Sequence, residues 1–235
     1  GVNLGDFGKG PDGGAGPVRS ADREEGFSDL IRALDEVEGI QRYRISSIEP
    51  NLLSDEIIEF VAGSRKFMPH FHIPLQSGSN KILAQMRRRY KKELYEEKVA
   101  RIKSLMPHCA IGADVITGFP GEGEDEFQET LDFIKSIDVS YLHVFTYSER
   151  DNTQALTIKP VVPVSLRHER TKILRTLSYR KMECFTALHK GQTRKVLFEK
   201  AAKNGSIEGY TDNYIKVSIP FNEDYVNKII DWTIR

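Results

Sequence analysis

Short apolar runs that read as strands alternate with amphipathic helical patterns along the first two thirds of the chain, and this alternation constrains the fold most tightly. "YRISSI" (43–48) precedes a helix over "SDEIIEFVAG" (54–63), which has a serine N-cap at Ser54, an acidic first turn and a glycine end. "HFHIPL" (70–75) precedes one or two helices within 79–106, broken near Arg89 and Tyr90. "CAIGADVITG" (109–118) runs into a helix from about Glu124 to Ile137, and "SYLHVFTY" (140–147) follows. Ahead of them all, Phe27, Leu30, Ile31, Leu34 and Val37 recur at helical spacing up to a stop at Gly39. Such a chain builds a parallel sheet with helices outside it, as an open doubly wound sheet or a barrel.

The pattern dissolves over "SERDNTQALTIKPVVP", which marks the end of an α/β part at 1–164. A connecting helix is expected over 165–191, with Ser165 as N-cap and Gly191 as the stop. From 192 to 235, short alternating runs separated by Asn-Gly and Thr-Asp-Asn turns read as a small antiparallel β unit.

No apolar run approaches the roughly 20 residues that a membrane span needs, and the opening segment lacks the basic start and apolar core of a secretion signal. A cytoplasmic protein is expected, either processed or a fragment, because residue 1 is glycine. Two cysteines, Cys109 and Cys184, far apart and without CxxC spacing, encode neither a disulfide framework nor a zinc or iron–sulfur site. The balanced total charge hides a polarity: residues 1–60 carry 6 Lys/Arg against 13 Asp/Glu, and residues 166–203 carry 11 against 3. That basic stretch reads equally as a solvated helix face or as a nucleic-acid footprint.

In parallel α/β folds the reactive groups sit just after the strands. There the chain offers Asn3, Asp6, Glu49, Gln76, Ser77, Asp114, the turn from Gly118 to Glu122, Tyr147, Ser148 and Arg150. No Ser–His–Asp or Cys–His set can be assembled from them, which argues against a covalent hydrolase. The glycine turn could cradle a phosphate, but Glu122, Glu124, Asp125 and Glu126 crowd the helix start, so a neutral or cationic ligand, or simple complementation of the helix dipole, is the better reading. His70 and His72 share a strand face without a visible third ligand, so no metal site is expected. Glu49 reads either as a ligand contact or as a helix-approach residue. "MRRRYKK" (86–92), with Arg87, Arg88 and Arg89, suits a phosphate backbone or a solvated helix face. In the C-terminal unit Lys195, Lys200, Lys203, Lys216 and Lys228 interleave with Phe198, Tyr210, Tyr214 and Phe221, a mixture that holds single-stranded RNA or fills a small core.

"RISSIEP", "HFHIPLQSGSNKILAQMRRRY", "DVITGFPGE", "HVFTYSER" and "GYTDNYIKV" together resemble the methylthiotransferases of the radical S-adenosylmethionine superfamily, over nearly the whole chain. "GVNLGDFG" most resembles the branch acting on threonylcarbamoyladenosine beside the tRNA anticodon; relatives acting on isopentenyladenosine or a ribosomal protein are the alternatives. The resemblance implies a partial (β/α) TIM-like barrel and a small RNA-binding β-barrel of the TRAM type. It implies S-adenosylmethionine as cofactor, lined by Asn3, Glu49, Gln76, Ser77, Asp114, Gly118 and Phe145, with the opening stub in the place of the family's second strand. It further implies tRNA as partner, held by Arg87, Arg88, Arg89, Lys195, Lys200, Lys203, Tyr210, Tyr214 and Lys216.

The family's two 4Fe-4S clusters are bound by cysteines that this chain lacks, so none is expected to be ligated here, no catalytic residue is assigned and no turnover is expected from the chain alone. Gly123 stands where the family usually has threonine, and "RDNT" replaces Arg-Pro-Gly-Thr, so capping and the exit loop are expected to differ locally. A monomeric parent, and a fragment able to self-associate through an exposed barrel edge, are expected. An RNA-binding module with a vestigial barrel is the rival reading. Removing 192–235 is expected to abolish most tRNA binding while leaving the α/β part folded.

Overall fold

Four of the alternating runs do assemble into one parallel sheet. The computed structural model describes residues 3–8, 19–20, 23–201 and 205–235, without the side chains of 19, 20, 23, 24, 200 and 201. A short 3-10 turn, Leu4–Asp6, and a two-residue antiparallel pair, β1 (Arg19–Ser20) with β2 (Arg23–Glu24), lead into α1 (Phe27–Glu36). Then come β3 (Tyr43–Ile45), α2 (Asp55–Gly63), β4 (Phe67–His72), α3 (Asn80–Gln85), α4 (Lys92–Leu105), β5 (Ala110–Thr117), α5 (Glu124–Ser136) and β6 (Tyr141–Thr146). Strands β3, β4, β5 and β6 lie side by side in chain order, all parallel. Barrel closure is not seen: no pairing joins β3 to β6 among the described residues.

Side-chain alternation sorts the sheet into two unlike faces. One face sends Ile45, Phe71, Ile111, Ala113, Val115 and Val144 into a single core with Ile31 of α1, Ile58 of α2, Val99 of α4, Phe127 of α5 and Leu174 of the long helix described next. The other face carries Arg44, His70, His72, Asp114, Ile116, Tyr141, His143 and Phe145. It is polar and aromatic, unlike the twice-covered apolar face of most parallel sheets.

Helix α6 (Val164–Ala187) is more than a connector. Ser178 Oγ accepts from Leu142 N–H at 2.8 Å and donates to Leu142 C=O at 3.0 Å, while Arg175 donates to Val144 C=O at 3.3 Å. The helix thus satisfies the free edge of β6, which would otherwise offer unpaired backbone to another chain. It begins one residue before the expected Ser165, with Pro163 at the cap position, whose fixed φ suits a helix entry and which brings no capping oxygen.

Leu4–Asp6 forms a 3-10 turn, with Leu4 N–H donating to Ser47 C=O at 3.0 Å, while Gly1 and Val2 of the opening stub lie outside the described residues. Two further expectations are corrected. "MRRRYKK" is no helix face: it falls in the break between α3 and α4, where Arg87 takes a left-handed φ of 56° that stops α3. The strand read over 43–48 ends at Ile45, two residues short of the Leu4 contact, although Ile48 N–H still donates to His72 C=O at 3.1 Å.

Strands β7 (Thr193–Ala201), β8 (Ser206–Thr211), β9 (Lys216–Pro220) and β10 (Ile229–Thr233) form an antiparallel sheet in the order β10, β7, β8, β9, again without a closing pair among the described residues. It sits against the amino-terminal end of the parallel sheet. Arg42 donates to Lys195 C=O at 2.7 Å and to Tyr210 C=O at 3.3 Å, and Asn213 Nδ2 donates to His108 C=O at 3.0 Å. Ala110, Phe185, Ile215 and Ile234 close a small shared apolar cluster. No helix among the described residues is long and apolar enough to cross a membrane.

Candidate functional site

The carboxyl ends of β4, β5 and β6 converge on an open cleft. After β4 the chain turns through Gln76, whose φ of 69° lets its N–H reach Asp114 C=O at 2.7 Å while its own C=O accepts from Ile116 N–H at 2.9 Å. This prolongs the β4–β5 pairing by one bridge, to Val115, and aims the following backbone away from the cleft. Ser77 is fully buried against Thr130 of α5, 3.1 Å away, and so braces the turn instead of facing the cleft.

After β5, Gly118 has a φ of +75°, and a Cβ there would stand 2.2 Å from Arg167 Cγ, so glycine is required by both conformation and close packing. Its N–H donates to Glu122 Oε1 at 2.8 Å. Glu122 in turn pairs with Arg170 at 2.9 Å, and the two side chains are 1% and 2% exposed. Burial pushes the Glu122 carboxyl up, opposed by the Gly118 N–H and the Arg170 guanidinium. Glu126 accepts from Gly123 N–H at 2.8 Å and pairs with Lys81 at 2.6 Å, and Glu124 meets Arg170 at 3.1 Å. Three of the four acids crowding this turn, Glu122, Glu124 and Glu126, are therefore fastened to the protein itself: Gly123 lacks a capping side chain, and Glu126 takes over that task.

Glu49, after β3, pairs with Arg88 at 3.1 Å, and its N–H donates to Asn3 Oδ1 at 3.2 Å. Asp114 lies on the polar face, 2.8 Å from His72 Nε2 and 3.4 Å from His143 Nδ1. The three ligand-type atoms lie within 4.8 Å of one another, a set that takes in His72 of the expected pair but not His70. His143 was legible in principle, since it stands directly opposite Asp114 in the β5–β6 register. Deeper on the same face, His70 Nε2 shares a 2.8 Å hydrogen bond with the Tyr141 hydroxyl, while its Nδ1 is buried without a partner. Burial, reinforced by Arg44, His72 and His143, holds His70 down to about 3.

Two adjoining depressions make up the cleft, sharing Ile116, Thr153 and Ala155. The smaller, about 330 Å³, lies over β6 and is walled by Phe145, Tyr147, Ser148 and Arg150; Phe145 is 52% exposed and the Tyr147 hydroxyl has no partner. The larger, about 690 Å³, is flanked by Gln85, Arg87 and Arg88 on one side and Gln154 and Thr157 on the other. Sequence reading missed this wall of Ile116 and the 153–158 loop, because nothing in a Thr-Gln-Ala-Leu-Thr string signals where the loop folds back.

The residues assigned to RNA are scattered. Lys195 and Lys216 are exposed, the latter paired with Glu208 at 2.8 Å. Tyr210 and Tyr214 stack on each other at 4.7 Å, and Tyr214 lies 4.4 Å from both His70 and the Arg44 guanidinium, so both rings serve the junction between the sheets. Arg87 and Arg89 are exposed. Lys203 and the side chain of Lys200 lie outside the described residues.

Residues 18–134 match the model of the radical SAM superfamily. The chain is 40% identical over 213 residues to the threonylcarbamoyladenosine tRNA methylthiotransferase MtaB of Bacillus subtilis (strain 168), covering 88% of this chain and 47% of that protein. It is 40% identical over 188 residues to the protein of the same name from Aquifex aeolicus (strain VF5), covering 80% and 45%. With the tRNA-2-methylthio-N(6)-dimethylallyladenosine synthase of Clostridium tetani (strain Massachusetts / E88) it shares 36% over 207 residues, covering 87% and 46%. The chain thus spans about half the length of the curated relatives it matches. Among solved structures, Escherichia coli coproporphyrinogen III oxidase superposes with a TM-score of 0.48 at 12% identity over 77% of this chain and 52% of that one, a likeness too loose to carry an argument.

Proposed function

The chain belongs to the radical S-adenosylmethionine superfamily, and from that premise we propose that it supplies the cofactor-side sheet and the RNA-gripping unit of a tRNA methylthiotransferase acting on threonylcarbamoyladenosine. The observation that carries this reading is the 40% identity across 88% of the chain.

The residues present fit S-adenosylmethionine. An exposed aromatic at Phe145 and an apolar side chain at Ile116 offer surfaces for an adenine. Glu49, Gln76, Asp114 and Phe145 would hold the cofactor, with Asn3 fixed beside Glu49. Ser77 and Gly118 would act by holding the two turns in place. When bound, this cofactor supplies the radical and methyl chemistry of the reaction.

The residues do not fit an iron–sulfur cluster. Cys109 is buried at the foot of β5, where burial pushes its thiol up to about 12, and Cys184 lies on α6. Two thiols so placed do not make a thiolate set, so cluster ligands would come from outside these 235 residues, and the chain alone would turn over nothing. Transfer RNA would lie on the basic surface that carries Lys195 and Lys216.

Calorimetry on this chain tests the reading. Weak S-adenosylmethionine binding, lost in Glu49→Ala with Asp114→Ala, together with salt-sensitive tRNA binding, supports it. Retained tRNA binding with no cofactor binding favours an RNA-binding module instead. A methylthiolated nucleoside formed by this polypeptide alone would overturn the division of labour.

A further inference from the structure

We propose that the larger depression is the seat of the substrate's N6 substituent, and that Arg87 selects a substituent bearing a carboxylate. The proposal rests on the tRNA-modifying reading and deepens it. Its starting point is a residue in an unfavourable place. Arg87 adopts a φ of 56°, a region that glycine or asparagine would occupy at less cost, yet the position carries a long cationic side chain. Backbone held in a sparsely populated conformation commonly marks a side chain placed for use.

The surroundings of that side chain point to an anion. Arg87 is exposed, lines the 690 Å³ depression and makes no side-chain hydrogen bond or ion pair with the described residues. Its neighbour Arg88 is already half committed, since Nη1 meets Glu49 at 3.1 Å, while its Nε is buried and unpartnered. No aspartate or glutamate lines the depression, so the charge that Arg87 brings is uncompensated there. A guanidinium in that position suits a carboxylate in two-pronged contact. Next to it Gln85 Oε1 is buried without a partner, its amide pressed against Gly121, where a Cβ would come within 2.6 Å. Ile116 provides the apolar floor shared with the depression over β6.

The relatives present the two chemistries between which such a site would choose: a threonylcarbamoyl group, which ends in a carboxylate, and a dimethylallyl group, which is wholly apolar. A free cation at the mouth favours the first and leaves the second with an unpaired charge to desolvate. The same guanidinium could instead grip an RNA phosphate, and the experiment separates the two anions.

Free nucleosides, which carry no phosphate, are titrated into the chain while the Ile116 methyl signals are followed by NMR. N6-Threonylcarbamoyladenosine should bind about fivefold more tightly than its methyl ester or N6-dimethylallyladenosine, the scale expected of one exposed ion pair. Arg87→Asn, which keeps the left-handed backbone and should melt no lower than the parent, should bind the acid and the ester alike. Arg65→Gln, at an exposed arginine outside the depression, should keep the preference. Equal binding of acid and ester by the parent chain, an unchanged preference in Arg87→Asn, or no response of Ile116 at millimolar nucleoside would each overturn the proposal. So would an Arg87→Asn variant whose only change is an equal loss of affinity for modified and unmodified tRNA, which would assign the arginine to phosphate. Cofactor and tRNA binding are measured on the same sample: if both persist without an acid preference, only the selector fails, whereas their joint absence sinks the broader reading.

Discussion

At the scale of single residues, the buried Glu122–Arg170 pair fastens the glycine turn to α6. Glu122→Gln preserves an acceptor for Gly118 N–H but removes the buried partner of Arg170, leaving it only the exposed Glu124 at 3.1 Å, and should cost up to about 3–5 kcal/mol of stability by urea unfolding. Exchanging both partners for Met and Leu should cost much less than that, because no lone charge remains. His70 sets a pH dependence with a definite sign. Its folded pKa is held near 3, while the unfolded chain takes up the proton near the ordinary value of 6.5. The unfolded state therefore binds more protons anywhere between those values, and stability falls as the pH drops from about 6.5 toward 3, at about 1.4 kcal/mol per pH unit from this group. The difference in slope between the parent and His70→Phe, measured at pH 7 and pH 5, isolates the effect; equal slopes would refute it. Such residue roles were half legible. Glu49, Gln76, Asp114 and Gly118 could be picked out because they follow strands. That Gly118 faces Arg167, and Ser77 faces Thr130, depends on contacts some 50 residues apart, which no local pattern encodes.

At the scale of elements, strands and helices were readable wherever apolar residues kept a period, as in α1, α2 and β5, and were misread where polar residues did the packing. Helix α6 buries Arg167, Arg170 and Thr171 along with Leu174 and Phe185, so it shows no continuous apolar stripe and reads as a connector. Its serine and arginine contacts to β6 are hydrogen bonds to a strand edge, invisible to any hydrophobic template. Ser178→Ala should leave Leu142 N–H without its acceptor, at a cost of about 1–3 kcal/mol, which thermal unfolding would register. Adding Arg175→Met bares Val144 C=O as well, and the double variant should associate through β6, seen as early elution from a sizing column. An unchanged elution volume would show that the apolar packing of α6 alone is enough to guard that edge.

At the scale of the whole molecule, the antiparallel unit is fused to the parallel sheet rather than tethered to it. Arg42, Asn213 and Tyr214 cross the junction, and Ala110 shares its apolar cluster with Phe185, Ile215 and Ile234. The chain should unfold in one cooperative calorimetric transition, and removal of 192–235 should leave the α/β part folded but lower its melting temperature. Two resolved transitions would mean that the junction contributes little. The boundary itself was readable as a change of style near 192, but the docking was not, because Tyr214 looks in sequence like any aromatic of a small β unit. Its position has a topological result. With its ring lodged beside Arg44 and His70, the polar face of the parallel sheet is covered at the amino-terminal end of the strands. Ligand traffic over that face is therefore turned toward the carboxyl ends of the strands, where the cleft lies.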